Sequence, residues 1–268
     1  MCRILGYLGP SVALDEVVFK PPHSLLVQSY KPKELDGAVL NGDGFGLGWH
    51  DQPTGESAIG EAFAYRNLLP MWNDRSLADL CRYVRAENFV VNLRSATEKM
   101  PVDISNCQPF KRGQLLFVHN GLIENFFESL YRPIREKLGD VAYRSIQGLT
   151  DSEHIFALLV DYLERQPGID LAEALRCVVF DLMGMAKRAD VRVAANIVLS
   201  TGDRLIWLRY DNRQKAPSLY LLRESSLLPG AVVVSSEPLF EGDWQPCRQG
   251  EIMSVKRDLQ VKTYARLE

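Results

Sequence analysis

The chain has 268 residues, of which 46% are hydrophobic and 24% charged, and its formal net charge is −3. This composition is typical of a globular protein, and the scattered basic residues argue against a nucleic-acid-binding surface. No window approaches the roughly 18 apolar residues of a membrane-spanning helix, and the N-terminus lacks the pattern of a secretory signal.

The first strand predicted in chain order is RILGYLG, at 3–9, and FVVNLRSAT, at 89–97, is a second β-rich run. Between them, the glycine-rich NGDGFGLGWH at 41–50 favours a tight turn between strands, although such glycines also let the backbone approach a ligand closely. LLFVHNG, at 115–121, predicts another strand. Its terminal Asn-Gly is a strong turn signal, so we expect the strand to end there.

The middle of the chain is predicted to be helical. ENFFESLYRPIREKLG, at 124–139, has helical spacing, but Pro133 predicts a kink or two short helices. The clearest helix covers 150–168, because Thr150 and Glu153 have the spacing of a capping box.

A further helix is predicted over 170–189, followed by a hairpin over 196–210 with Gly202 in its turn. Short strands then follow at 219–224, 231–237, 251–256 and 259–264. Strands, then helices, then strands fit an α+β fold in which helices pack on two sheets. Since no linker rich in Pro, Gly or Ser interrupts the chain, we expect one domain over residues 1–268.

The cysteines are widely spaced, at Cys2, Cys81, Cys107, Cys177 and Cys247. They form neither a CxxC pair nor the Cys/His pattern of a zinc site, and the four histidines are dispersed. We therefore expect a reduced, cytoplasmic protein that uses no metal and no cofactor.

Cys2 directly follows the start methionine. Removal of that methionine would leave a thiol and a free α-amino group on one residue, which are a nucleophile and a base. The alternative is an ordinary packed thiol.

Three further stretches carry candidate site residues. Arg94 follows an apolar run and needs an anion, either a structural carboxylate or the α-carboxylate of an amino-acid substrate. Asn120 and Gly121 offer a side-chain amide and an uncrowded backbone N–H, which together can stabilise an oxyanion, although a plain Asn-Gly turn is the alternative. Asp151 either binds a substrate ammonium or is the ordinary acidic residue of a first helical turn.

Taken in order, MCRILGYLG, GDGFGLGW, LRSAT, NCQPF, FVHNGLIEN and TDSE resemble the glutaminase domain of class II glutamine amidotransferases, which are N-terminal-nucleophile hydrolases. The motifs span residue 1 to about residue 155. The resemblance implies a four-layer αββα sandwich. It also implies that Cys2 is the nucleophile with its own α-amino group as base, and that Asn120 and Gly121 are the oxyanion donors. Gln108 and His119 lie inside matching motifs and receive no role.

The same resemblance implies the substrate contacts. Arg94 matches the clamp on the α-carboxylate of the substrate, and Asp151 matches the partner of its α-ammonium. Thr97 matches a supporting position near the glutamyl group. A thioester on Cys2 would then be hydrolysed to release glutamate.

Residues 190–268 are predicted to belong to the same sandwich rather than to a synthase domain. The chain is therefore expected either to cleave a γ-glutamyl compound by itself or to supply ammonia to a separate synthase. MCRILGYLGP, NGDGFGLGWH, RSAT and AVVVSSEPLFEGDWQPC resemble the stand-alone amidohydrolases of ergothioneine biosynthesis, which remove glutamate from γ-glutamyl-hercynylcysteine sulfoxide. Related members act on other γ-glutamyl peptides.

The expected partners are a small-molecule γ-glutamyl substrate and an enzyme of the same pathway, with no nucleic acid and no membrane. An inactive scaffold is the alternative from another class, but it would lack the nucleophile, the arginine or the Asn-Gly pair, and all of these are present. Tyr65, Trp72 and Trp49 are candidates for an aromatic surface that binds a cationic or imidazole group, with ordinary packing as the alternative.

Overall fold

The computed structural model describes residues 2–34, 40–51, 61–96 and 101–267. Two antiparallel sheets pack face to face, and helices cover the outer face of each sheet. The chain therefore forms a four-layer αββα sandwich, which confirms the α+β fold that was predicted from the sequence.

The strands of both sheets are short and are joined mostly by antiparallel pairing. They are β1 (Arg3–Ala13), β2 (Phe45–His50), β3 (Ala62–Asn67), β4 (Arg85–Leu93), β5 (Phe110–Arg112), β6 (Leu115–Ile123), β7 (Val193–Ser200), β8 (Arg204–Leu208), β9 (Tyr220–Leu222), β10 (Val232–Ser235), β11 (Gln245–Pro246), β12 (Glu251–Lys256) and β13 (Lys262–Arg266). The first sheet has the order β11-β9-β10-β1-β4-β2-β3, and the second has the order β13-β12-β8-β7-β6-β5.

The helices form the two outer layers. They are α1 (Asp15–Val18), α2 (Leu25–Tyr30), α3 (Leu77–Tyr83), α4 (Tyr131–Lys137), α5 (Asp140–Ser145), α6 (Asp151–Arg165) and α7 (Leu171–Ala189). The first three pack on the first sheet and the other four on the second. Within the described part of the chain, none of the helices combines the length and the apolar character that crossing a bilayer requires.

Strand alternation separates three apolar layers. On β1, Ile4 and Leu8 point between the sheets, where they pack with Val118 of β6. The intervening Leu5 and Tyr7 point to the other face, under the helices. Because side chains alternate with a period of two, the N-terminal strand contributes to two layers at once.

Local signals placed the long helices correctly. The Thr150 hydroxyl accepts a hydrogen bond from the Glu153 backbone N–H at 3.2 Å and caps α6. The second half of the predicted capping box does not form, because the Glu153 carboxylate instead accepts the backbone N–H groups of Gln147 and Gly148. Asp170 caps α7 by accepting the Ala172 N–H.

The predicted end of a strand at Asn120-Gly121 is wrong. Strand β6 continues through both residues, which pair with Asn196 and Ala195 of β7. A Cβ at position 121 would lie 1.9 Å from the Ala194 carbonyl oxygen, so glycine here serves close packing of two strands rather than a turn. Pairing along the whole of β7 outweighs the local turn preference.

Three other boundaries also differ from the prediction. The glycine-rich stretch contributes a strand, β2, whose glycines face a neighbouring segment. Residues 124–130 form turns, and the helix begins only at Tyr131, which places Pro133 in its first turn, where proline is tolerated. Strand β4 ends at Leu93, before the predicted limit at 97.

Gly46→Ala should destabilise the fold. A Cβ at Gly46 would lie 2.1 Å from the Gln108 carbonyl oxygen, and this backbone atom moves only if the segment moves. We expect a loss of about 1–3 kcal/mol in the free energy of unfolding, the usual range for overpacking, measured by urea denaturation.

Gly184→Ala is the matched control. It lies within α7, and the nearest atom to a Cβ added at this position belongs to the flexible Arg188 side chain, at 3.6 Å. This change should stabilise the protein by up to about 1 kcal/mol, the helix preference of alanine over glycine. Equal effects of the two substitutions would contradict the close approach at Gly46.

Candidate active site

Cys2 and Arg94 lie together at one end of the first sheet. Strand β1 pairs with β4 so that Arg3 faces Leu93, and the ladder therefore places Cys2 beside Arg94. The Cys2 thiol is partly buried, and its Sγ lies 3.9 Å from the Ser95 carbonyl oxygen.

A pocket of about 540 Å³ opens in front of Cys2. It brings together five parts of the chain: the N-terminus, the segment after β4, the segment before β5, the end of β6 with the following turns, and the start of α6. Its lining includes Cys2, Arg94, Gly121 and Asp151. Four of the predicted site residues therefore share one pocket.

Asn120 and Thr97 have different positions. Asn120 is fully buried, and strand alternation points it between the sheets, on the same face as Val118. Neither its amide nitrogen nor its amide oxygen has a hydrogen-bond partner among the residues that the structure describes. A buried amide without a partner is costly, so Asn120 has a free donor beside the pocket-lining Gly121. Thr97 lies outside the described residues.

Arg94 is buried, yet its guanidinium bonds only to backbone oxygens. It donates to the Asp43 carbonyl at 3.1 Å and to the Pro101 carbonyl at 3.2 Å. Within the described ranges it forms no ion pair with a carboxylate. Since a buried guanidinium favours a planar anion, Arg94 is suited to bind one in the pocket that it lines.

Asp151 provides the opposite charge. Its Oδ2 accepts the Ile123 backbone N–H at 2.8 Å, and its Oδ1 accepts the Ser152 N–H at 2.7 Å. The first bond joins the start of α6 to the end of β6. The carboxylate is therefore held in a fixed place at one wall of the pocket.

Gln108 and His119, which received no role from the sequence, support this wall. The Gln108 side chain bonds to both backbone groups of His119, donating from Nε2 to the carbonyl at 3.1 Å and accepting the N–H at Oε1. Strand β5 pairs with β6 as far as Phe117. At His119, the Gln108 side chain takes the place of a strand partner. The residue that precedes Asn120 and Gly121 is thus fixed by two buried hydrogen bonds.

The His119 ring extends the network to α6. Its Nε2 lies 3.3 Å from the Ala194 carbonyl oxygen and its Nδ1 lies 2.8 Å from the Ser152 hydroxyl. Because a carbonyl can only accept, Nε2 carries the proton and Nδ1 accepts from Ser152. Burial lowers the pKa of His119, which keeps the ring neutral in this arrangement.

The strand that follows Cys2 is anchored by charge. Arg3 is 1% exposed, and its Nε lies 3.4 Å from the Glu237 carboxylate. Glu237 also bonds to His23 at 2.6 Å and accepts the backbone N–H groups of Lys33 and Glu34. Burial acts to raise the pKa of Glu237, but these bonds outweigh it and hold the pKa below its usual value.

The other cysteines are poor candidates for a nucleophile. Burial raises the pKa of the Cys81 and Cys247 thiols to about 12, and it also raises the pKa of Cys107 and Cys177. Since only a thiolate attacks efficiently, these four residues remain protonated at neutral pH.

The aromatic residues that the sequence offered as candidates for a binding surface lie outside this pocket. Tyr65 donates its hydroxyl to Asp74, and Trp49 stacks on Phe63 with ring centroids 5.9 Å apart. Neither these residues nor Trp72 lines the pocket with Cys2. Its aromatic lining is Phe126 and Phe127 instead. No motif marks those two residues, because they sit in turns that the sequence assigned to a helix.

Comparisons with known proteins show the family and the fold of the chain. A family model described as class-II glutamine amidotransferases matches residues 29–266. The γ-glutamyl-hercynylcysteine sulfoxide hydrolase of Mycolicibacterium smegmatis is 30% identical over 238 residues, which are 89% of this chain and 88% of that protein. The probable glutamine amidotransferase DUG3 of Saccharomyces cerevisiae is 29% identical and covers 96% of this chain and 82% of its own length.

Two solved structures show the same fold. A glutamine aminotransferase class-II domain protein from Silicibacter pomeroyi superposes with a TM-score of 0.69 at 24% identity, covering 99% of this chain and 100% of that chain. The glutamine phosphoribosylpyrophosphate amidotransferase of B. subtilis superposes with a TM-score of 0.65 at 16% identity, and covers 98% of this chain but 49% of its own.

Gln108→Met should weaken the protein. The substitution keeps the length of the side chain but leaves the buried N–H and C=O of His119 without partners, at a cost of about 1–3 kcal/mol for each unsatisfied group. Urea denaturation should show this loss in the free energy of unfolding. Gln260→Met, at an exposed position, is the control and should change it by less than about 0.5 kcal/mol. Similar results for the two variants would show that the His119 bonds are dispensable.

Proposed function

We propose that this chain, which belongs to the class II glutamine amidotransferases, hydrolyses a γ-glutamyl amide bond with Cys2 as its nucleophile. The family and the relatives named as γ-glutamyl hydrolases make the chain an amide-bond hydrolase. The observation that carries the assignment of residues is the shared pocket. A thiol, an unpaired guanidinium, an uncrowded glycine N–H and a fixed carboxylate all line it.

In this proposal, removal of Met1 frees the α-amino group of Cys2. An α-amino group titrates at about 7.7–8.0, which suits a general base at neutral pH. It takes the thiol proton, and Sγ forms a bond to the γ-carbonyl carbon of the substrate. The resulting oxyanion accepts hydrogen bonds from the Asn120 amide and the Gly121 N–H, which are free to donate.

Collapse of the oxyanion breaks the C–N bond, and the α-amino group passes its proton to the leaving nitrogen. A water molecule then attacks the thioester, the same amine takes one of its protons, and glutamate leaves as the thiol is restored. The chemistry uses Cys because a thiol is intrinsically very nucleophilic and needs little activation.

Arg94 and Asp151 would hold the glutamyl group at its α-carbon. The guanidinium has no carboxylate partner among the described residues, so a substrate α-carboxylate supplies the missing anion. Asp151 presents a carboxylate to the same pocket for the α-ammonium. Thr97 stays a predicted contact.

For the substrate we propose γ-glutamyl-hercynylcysteine sulfoxide, with other γ-glutamyl peptides as the next candidates. Support comes from relatives named as hydrolases of that compound, which match 89% of the chain. The pocket, at about 540 Å³, also extends beyond the glutamyl contacts to Phe127 and Glu128. A glutaminase subunit that feeds a separate synthase is the second candidate, favoured by the similarity to a protein named as a glutamine amidotransferase.

Intact mass spectrometry should show loss of Met1. Treatment with 6-diazo-5-oxo-norleucine, an electrophile that resembles glutamine, should then add one adduct, which peptide mapping places on Cys2. Cys177, a partly exposed thiol outside the pocket, serves as the internal control and should stay unlabelled. A retained methionine, or labelling at Cys177 alone, would contradict the proposed nucleophile.

Arg94→Met should raise KM for a γ-glutamyl substrate with a smaller effect on kcat. Loss of a hydrogen-bonded charge pair costs about 1.5–3 kcal/mol, which is roughly a ten- to hundredfold change. Arg112→Met removes an exposed arginine paired with Glu164 and should leave both constants unchanged. An unchanged KM in Arg94→Met would refute the carboxylate clamp.

A further inference from the structure

A second pocket of about 490 Å³ adjoins the first, and Leu122 lines both. Its polar lining is unlike that of the first pocket. It contains Glu34, Arg192, Arg209, Lys215, Ser218 and Tyr220. The mechanism proposed above uses none of these residues.

Sheet order places this pocket on the far side of the nucleophile. In the first sheet, β1 lies between β4, which precedes Arg94, and β10, which is followed by β9 with Tyr220. In the second sheet, β6 with Gly121 is followed by β7, which begins next to Arg192. Moving across this end of the sandwich, Arg94 comes first, then Cys2, and then the second pocket.

The loop that lines the second pocket is tied to the residue opposite Asn120. Asn196 is the β7 partner of Asn120, and its amide donates to the carbonyl oxygens of Pro217 and Ser218 at 3.0 and 3.2 Å. The second pocket is therefore joined to the strand pair that carries the oxyanion donor. A substrate held by Arg94 at its glutamyl end directs its leaving group across Cys2 toward this pocket.

The second pocket holds uncompensated positive charge. Arg209 is 9% exposed, and within the described part of the chain its guanidinium meets only backbone carbonyl groups. They are those of Ala216, Pro217 and Cys247, at 2.7, 2.9 and 3.0 Å. Carbonyl dipoles satisfy its hydrogen bonds but do not cancel its charge, so the wall it forms stays electropositive.

The remaining charges leave a net positive pocket. Arg192 is neutralised by Asp211, at 3.0 Å from Nε and 2.8 Å from Nη2. Glu34 is the one acidic residue among the described lining, and it accepts the Tyr220 hydroxyl at 2.9 Å. Lys215 has no ion-pair partner in the described ranges. Glu34 therefore offsets one of the two positive charges of Arg209 and Lys215, and one positive charge remains in excess.

Ser218 adds a donor at the same place. Its hydroxyl oxygen is buried and has no hydrogen-bond partner among the described residues. Lys215 and Ser218 line the same pocket, and an ammonium together with a hydroxyl suits an anion with two acceptor oxygens, which is the form of a carboxylate.

We propose that the second pocket is a subsite for the leaving group, and that Lys215 and Ser218 bind a carboxylate carried by the released amine. The inference rests on the proposed function, since it takes Cys2 and Arg94 as the fixed end of the substrate. It sets the substrate class as a γ-glutamyl amino acid or peptide with a free carboxylate. Glutamine, whose leaving group is ammonia, fills none of this pocket.

Steady-state kinetics with three substrates tests the subsite: γ-glutamylglycine, γ-glutamylglycinamide and glutamine. The wild-type enzyme should have the highest kcat/KM for γ-glutamylglycine, because the other two lack the carboxylate. Lys215→Met should lower kcat/KM for γ-glutamylglycine by roughly two- to fivefold, mainly through KM, as expected for an exposed charge contact. It should leave the values for the other two substrates unchanged.

Two further variants serve as comparisons. Lys262→Met removes an exposed lysine of β13, away from both pockets, and should change nothing. Glu128→Gln alters the outer part of the first pocket. If Glu128→Gln changes the preference among the substrates and Lys215→Met does not, the leaving group lies along the first pocket and the subsite is refuted.

The results separate the two proposals. Equal kcat/KM for γ-glutamylglycine and its amide in the wild type overturns the carboxylate subsite while leaving the hydrolase intact. If glutamate is released from none of the three substrates although 6-diazo-5-oxo-norleucine labels Cys2, the carboxylate subsite is refuted and the hydrolase stands, whereas without that labelling the proposed function fails as well. A preference for the free carboxylate that Lys215→Met abolishes supports both.

Discussion

The antiparallel pairing of β1 with β4 is the constraint on which the site depends. It sets Arg3 opposite Leu93, and so brings Cys2 next to Arg94. A slip of one residue would turn every β1 side chain to the other face. Ile4 would then leave the layer between the sheets, and Cys2 would point away from the pocket. The apolar packing that stabilises the sandwich therefore also determines which way the thiol faces.

Hydrogen bonds between buried polar groups fix the positions of the pocket residues more specifically than apolar packing does. Gln108 fixes the backbone of His119, and the His119 ring reaches Ser152, whose neighbour Asp151 bonds back to the end of β6. Such a network is favourable only when each polar group in it has a hydrogen-bond partner. A buried group without one loses its hydrogen bonds to water and forms none with the protein. This requirement keeps Gly121, at the end of β6, and Asp151, at the start of α6, at a fixed separation. Asn120 is the exception, since its amide has no described partner, and an unsatisfied donor is what a reacting oxygen needs.

The sequence predicted the elements whose signals are local. Thr150 caps its helix as expected, and Gly202 lies in the turn of the predicted hairpin with φ of +84°. The predicted end of a strand at Asn120-Gly121 was wrong, because pairing with a distant strand determines the structure there. Cys2, Arg94 and Asp151 were singled out as residues, but only a family resemblance brought them into one site. Gln108 and Ser152 received no role, because a side chain that bonds to a remote backbone leaves no periodic pattern.

The residues of the second pocket were still harder to predict from the sequence. Its charges come from residues between 192 and 220 together with Glu34, and none of them lies in a stretch with a recognisable motif. The glutamyl end of the substrate has one chemistry, so the residues that meet it are the ones a family shares and a sequence can reveal. The leaving group differs from one γ-glutamyl compound to another, and on the proposal above it meets a loop whose backbone carbonyl groups bond to Arg209 and Asn196. Substitutions in that loop change side chains without disturbing those backbone bonds. On the proposed function, the choice between a glutaminase and a γ-glutamyl peptide hydrolase therefore depends on this loop, while Cys2, Arg94 and Asp151 act on the glutamyl group in either case.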